Sequence, residues 1–310
     1  MTHPEQTALV EAAGALVSWD LLGAPDPVTE VHAPDRAAAW RWELAEPAVL
    51  AAVHRLACLN WARSWWPASS VAGVPPLHPA LLAAEHALAT HAVSHLLDDE
   101  HATDRALSGL LPLPLEALSA NETLHAEALA LAGRLAGLAE DFGVQAPAPA
   151  ALARRDDYAL AASGGGTPDG LVVQRGSAPV DWSLVPAGAV DAVAEASWII
   201  LRRNGISVLE ASIPPSPGGF PPRLAARFGP VKLDLEPTPS GELTGSIPLP
   251  ANVLLLPADQ RVLTVYAPEF AEPTPPDPAA PARRAALVRF ALGRLDDPAA
   301  TLTERAGRLL

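Results

Sequence analysis

The chain has 310 residues, 49% of them hydrophobic, and a formal net charge of −14. That length suits two cores better than one, and the apolar content is too high for a chain disordered throughout. The acidic balance argues against a broad basic surface for nucleic acid.

Charge is unevenly spread. Residues 1–142 carry 18 Asp/Glu against 6 Arg, a net of −12, and the remainder carries only −2. Two regions of different character follow from this. Cys58 is the single cysteine, so an intramolecular disulfide and a CxxC metal site are both excluded. The start, MTHPEQTALVEAAG, shows neither a basic nor a continuous apolar signal region. No apolar run reaches membrane-spanning length. These readings place the chain in the cytoplasm, with no membrane or nucleic-acid partner expected.

Leu9, Val10, Ala13, Leu16, Val17 and Leu21 recur at helical spacing and predict a helix over 4–22. Pro25, Pro27 and Pro34 break the chain into a loop. A second helix is predicted from Glu46 to Trp66, ended by Pro67. Five of the eight tryptophans lie between Trp40 and Trp66, where they fit core and inter-helix filling. A third helix is predicted from Pro79 to Asp99, a short one over Asp104–Leu111, and a fourth over Pro114–Phe142 with Gly143 as its cap. Short connections between long helices imply an antiparallel bundle over residues 1–145.

Residues 146–168 read as a linker on the proline- and glycine-rich tracts QAPAPA, which starts at Gln145, and SGGG, with a short helix over Leu152–Tyr158. Beyond it the period changes to that of strands. Asn204-Gly205 between two apolar runs is a strong hairpin signal. Val231, Leu233 and Leu235 alternate with polar residues, as do Leu243, Gly245, Ile247 and Leu249. With Leu171–Val173, Val253–Leu256 and Val262–Tyr266, residues 169–272 read as a small antiparallel β-sandwich-like domain or a curled sheet. Residues 273–310 read as a proline-rich tract and C-terminal helices. The fold class expected is therefore α+β in two domains, an N-terminal all-α bundle followed by the β-rich domain with its helical tail.

Chemistry-bearing side chains concentrate between His78 and His125, which hold six of the nine histidines and the acidic run Asp98-Asp99-Glu100. On one helix His91 and His95, four apart, stack on the same face and suit two imidazoles on one metal ion. His54 and His125, on neighbouring helices, align with apolar faces, and either could add a third ligand. A histidine on the second helix followed by a His-x-x-x-His pair resembles the metal-binding triad of the DinB-like helical bundles. The resemblance covers at most the first 142 residues, with the pair on the third helix instead of the last. It implies one divalent metal, zinc or nickel, held by His54, His91 and His95, with His125 or Asp99 as spare ligand or base, and chemistry on water or a thiol.

Other motifs are missing. There is no His-Glu-x-x-His, no GxGxxG, no phosphate-binding loop and no GxSxG elbow. Without a cofactor motif, the first functional expectation is a non-enzymatic interaction or scaffold protein. Its acidic, tryptophan-rich bundle and separate β module would serve another protein as partner. The metal-dependent bundle enzyme is the alternative.

Overall fold

A computed structural model describes residues 3–23, 29–144, 170–186, 188–218, 222–273 and 277–310. In chain order the elements are β1 (Thr7–Ala12), β2 (Ala15–Asp20), β3 (Thr29–His32), α1 (Arg36–Glu43), α2 (Pro47–Trp65), α3 (Pro79–Ala92), α4 (Ala102–Ser108), α5 (Leu115–Leu118) and α6 (Glu122–Asp141). There follow β4 (Leu171–Pro179), β5 (Glu195–Arg203), β6 (Ile206–Ile213), β7 (Leu224–Phe228), β8 (Val231–Pro237), β9 (Leu243–Pro248), α7 (Ala251–Leu254), β10 (Leu263–Tyr266), α8 (Ala280–Leu295) and α9 (Leu302–Ala306). By contact the chain divides into two units. One comprises Met1–Trp66, Pro75–Arg154 and Arg289–Leu310, the other Pro67–Val74 and Arg155–Val288. The expected linker over 146–168, with its short helix, lies outside the described residues.

The first unit opens with strands where a helix was predicted, so it is not an all-α bundle. β1 and β2 form an antiparallel hairpin and β3 pairs with β2. Period-2 alternation overrides the helical spacing, with Ala8, Val10 and Ala12 buried and Leu9 and Glu11 exposed. Gly14 in mid-pattern is the contrary signal. With Ala13 it adopts positive φ, 73° and 50°, and closes a two-residue turn. The acidic run holds that turn. The Gly14 N–H donates to both Asp98 carboxylate oxygens at 3.0 and 3.1 Å, and the Ala13 N–H donates to Leu96 O at 2.6 Å. Because residues 96–98 serve the hairpin, α3 stops at Ala92 instead of reaching Asp99.

The helix predicted over Pro114–Phe142 is two helices. The Asn121 side chain accepts from Leu124 N–H at 3.1 Å and starts α6 afresh. One face of α6, with Leu124, Leu131, Leu135 and Leu138, packs on α3 residues Leu81 and Ala84. Leu302 and Ala306 of α9 complete that core. Trp42, Trp61 and Trp66 are buried, and each indole N–H finds a backbone carbonyl, on Ala12, Glu5 and Pro75 respectively.

The second unit holds one seven-stranded antiparallel sheet in the order β10-β7-β8-β9-β6-β5-β4. It curls until β10 approaches β4 and β5, nearly a barrel, which is the curled sheet of the two expected forms and not a two-layered sandwich. The Arg261 guanidinium donates to Gln174 Oε1 at 2.5 Å across that gap. Ile200, Leu209, Leu224 and Phe228 fill the interior and are fully buried. The β5–β6 hairpin turns at Asn204-Gly205, both at positive φ, as the sequence indicates. β7 escaped the sequence reading. Val253–Leu256, expected as a strand, lies in and just after the short helix α7, where Pro250 and Pro257 bracket a run too short for periodicity to decide. Trp198 crosses β4 at Gly176. A Cβ there would sit 2.6 Å from the Trp198 ring, so only glycine fits.

Asp191 is a buried carboxylate of the second unit. It accepts from Ser69 Oγ and Ser70 N–H at 2.7 Å and from the Val193 and Ala194 N–H groups at 3.0 Å. Burial alone would raise its pKa, but these four donors hold it below the usual Asp value. Asp191→Ala should cost about 1–3 kcal/mol at neutral pH by leaving buried donors unpaired. A group with a depressed pKa stabilises above its unfolded value and loses that contribution as pH falls through the folded one. Urea unfolding of wild type and variant should therefore differ at pH 7 and converge as pH falls below the ordinary carboxylate range.

Candidate cavity beside His54 and Cys58

The first unit contains a cavity of about 480 Å³ between α2, the end of α8 and the start of α9. Its apolar lining includes Leu59, Trp61, Leu77, Leu82 and Phe290, and its polar lining His54, Cys58, Arg294, Thr301 and Glu304. Trp61 and Phe290 meet edge to face, with ring centroids 5.5 Å apart.

His54 and Cys58 are four residues apart on α2 and so share a face. His54 Nε2 lies 3.3 Å from Cys58 Sγ, and Trp19 packs on the imidazole with centroids 5.0 Å apart. Burial, helped by the Arg294 charge, pushes the His54 pKa down. Burial pushes the Cys58 thiol up to about 12, with Arg294 opposing and Glu304 adding to the rise. At neutral pH the pair is a thiol beside a neutral imidazole, not a thiolate–imidazolium pair.

The other polar wall is built from ion pairs already satisfied. Arg294 donates from Nε and Nη2 to the two Glu304 oxygens at 2.9 and 2.8 Å, and from Nη1 to Asp297 at 2.8 Å. Glu304 also accepts from Thr301 N–H and Oγ, closing a capping box on α9.

The remaining predicted site residues are not brought to this cavity. His91 is exposed on the last turn of α3 and meets Phe142 edge to face at 5.7 Å. His95 is exposed beyond the end of α3, so the two do not share a helical face. His125 Nδ1 lies 3.0 Å from Leu115 O. Asp99 pairs with Arg105 and accepts from His101 N–H. Among the described residues no group of three or more His, Cys, Asp or Glu side chains could hold a metal ion. Comparison with protein-family models, curated sequences and solved structures finds no match.

The sequence reading passed over two things. The His54-x-x-x-Cys58 spacing was legible, but each residue was weighed alone. His86, not among the predicted ligands, lines a second cleft of about 370 Å³ in the first unit. Its Nε2 lies 2.9 Å from Asn60 Oδ1, and the Arg63 guanidinium is beside the ring. Burial, then the Arg63 charge, lowers its pKa to about 4. Between an ordinary value of about 6.5 and that folded value the unfolded chain binds a proton that the folded chain refuses, so stability falls as pH falls. His86→Gln should flatten this dependence. Urea midpoints at pH 7 and pH 5 should drop less in the variant than in wild type.

Proposed function

We propose that the protein is a binding protein whose first unit receives a small, mostly apolar molecule carrying one hydrogen-bonding group. The observation that carries this reading is the cavity itself. Its volume lies in the range of small-molecule sites, and its lining joins aromatic and aliphatic side chains to His54, Cys58 and the charged groups of Asp20, Arg55, Arg294 and Glu304. The ligand's body would lie against Trp61 and Phe290 and its polar group would meet His54. Nucleophilic catalysis is a poorer fit, because Cys58 is held as a neutral thiol and Arg294 is fully engaged. A binding role agrees with the lack of nucleotide, hydrolase and zincin motifs. It departs from the scaffold role with a protein partner expected from the sequence and keeps only its non-enzymatic character. The metal-dependent alternative draws no support from the placement of His91 and His95.

Ligand-observed NMR with a set of apolar fragments bearing one donor or acceptor tests the proposal. Ala51→Trp fills the cavity from an exposed position on α2 and should leave folding intact. Fragments should bind wild type and lose binding in the variant at an unchanged melting temperature. No binding to wild type, or equal binding to both, would contradict the reading.

A further inference from the structure

The cavity of the first unit has a length as well as a volume. His54, Cys58 and Trp61 line it from positions i, i+4 and i+7 of α2, one face of that helix. Seven residues rise about 10 Å along a helix axis, so His54 and Trp61 mark two stations that far apart. At the first station β2 ends against the helix. Trp19 packs on the His54 ring, and Asp20, the next residue, lines the cavity. At the second station Trp61 meets Phe290.

The charges around the cavity are paired, with one exception. Arg294 is held by Glu304 and Asp297, each at 2.8 Å. Arg55 is more than half exposed and lies 3.2 Å from Glu85. Asp20 differs. Its Oδ1 accepts from the Leu22 N–H at 2.9 Å, and among the described residues no cation lies within ion-pair range of its carboxylate. With their partners included, the charged groups of the wall are the acids Asp20, Glu85, Asp297 and Glu304 against the arginines Arg55 and Arg294. The charge left over is negative. His54, kept neutral by burial, adds nothing to oppose it. An anionic ligand would face the Asp20 carboxylate with both arginines already engaged, whereas a cation would give that carboxylate its missing partner.

We propose that the ligand of this cavity is an elongated amine, its ammonium paired with Asp20 beside His54 and its apolar body reaching about 10 Å to Trp61 and Phe290. This rests on the cavity being a ligand site and adds the charge and the length of what it holds.

Ligand-observed NMR on the full-length protein with phenylbutylamine, phenylbutanol and phenylbutyrate tests this, because the three share a body and differ in charge. The amine should bind about fivefold more tightly than the alcohol, the gain of one exposed ion pair. The acid should bind most weakly. Asp20→Asn keeps an oxygen for the Leu22 N–H, so the melting temperature should hold. In that variant the advantage of the amine over the alcohol should shrink to near unity. Should the variant unfold, the wild-type ranking still decides the charge of the ligand. Alcohol or acid binding as tightly as the amine, or an advantage unchanged in Asp20→Asn, would overturn the proposal and leave the cavity reading standing. Binding of none of the three to wild type, together with none of the other fragments, would overturn both.

Discussion

The C-terminal segment of the first unit is fastened by one buried carboxylate. Glu85, on α3 and 5% exposed, accepts from Leu302 N–H at 3.0 Å and from Thr303 N–H and Oγ at 2.8 and 2.6 Å. The partly exposed Arg55 adds a contact at 3.2 Å. A buried carboxylate is costly unless it is well hydrogen-bonded, and here the free N–H groups at the start of α9 supply that bonding. In return α9 gains an anchor it needs. At five residues it is far too short to persist alone. The Thr301–Glu304 box, the Arg294–Glu304 pair and the Arg305–Glu127 pair then set its orientation. Glu127 shows the same economy from the other side, its pKa lowered by the Arg305 hydrogen bond. The cavity depends on this anchor, because Arg294, Thr301 and Glu304 form its polar wall.

The sequence reading succeeds where a signal is local and fails where tertiary pairing decides. α2 is legible from Pro47 and Pro67, and the β5–β6 hairpin from Asn204-Gly205. The β1–β2 hairpin is ambiguous, because Leu9, Val10, Ala13 and Leu16 satisfy a helical period while Ala8, Val10 and Ala12 satisfy a strand period. Only pairing with Leu96–Asp98 resolves it, and no local rule reports a contact more than eighty residues away. The same long-range demand ends α3 early and separates His91 from His95.

Site chemistry was legible by residue type more than by grouping. His54 was singled out and does line a cavity, but its neighbour there is Cys58, not a second histidine. Arg294 and Glu304 lie more than two hundred residues further on and carry no motif. Asp99 looks like a spare ligand in the sequence, yet it holds Arg105, and Asp98 beside it holds the Gly14 turn. Acidic residues beside a helix end in this chain serve backbone N–H groups and arginines, and that use extends to Glu85 and Asp191.

Native-state hydrogen exchange on wild type and Glu85→Ala probes the anchoring claim most directly. If Glu85 fastens α9, the amides of Leu302–Ala306 should lose protection in the variant while those of α2 and the middle of α6 keep theirs. Protection of α9 equal to wild type would contradict the claim, and would leave the cavity wall to the Arg294–Glu304 and Arg305–Glu127 pairs.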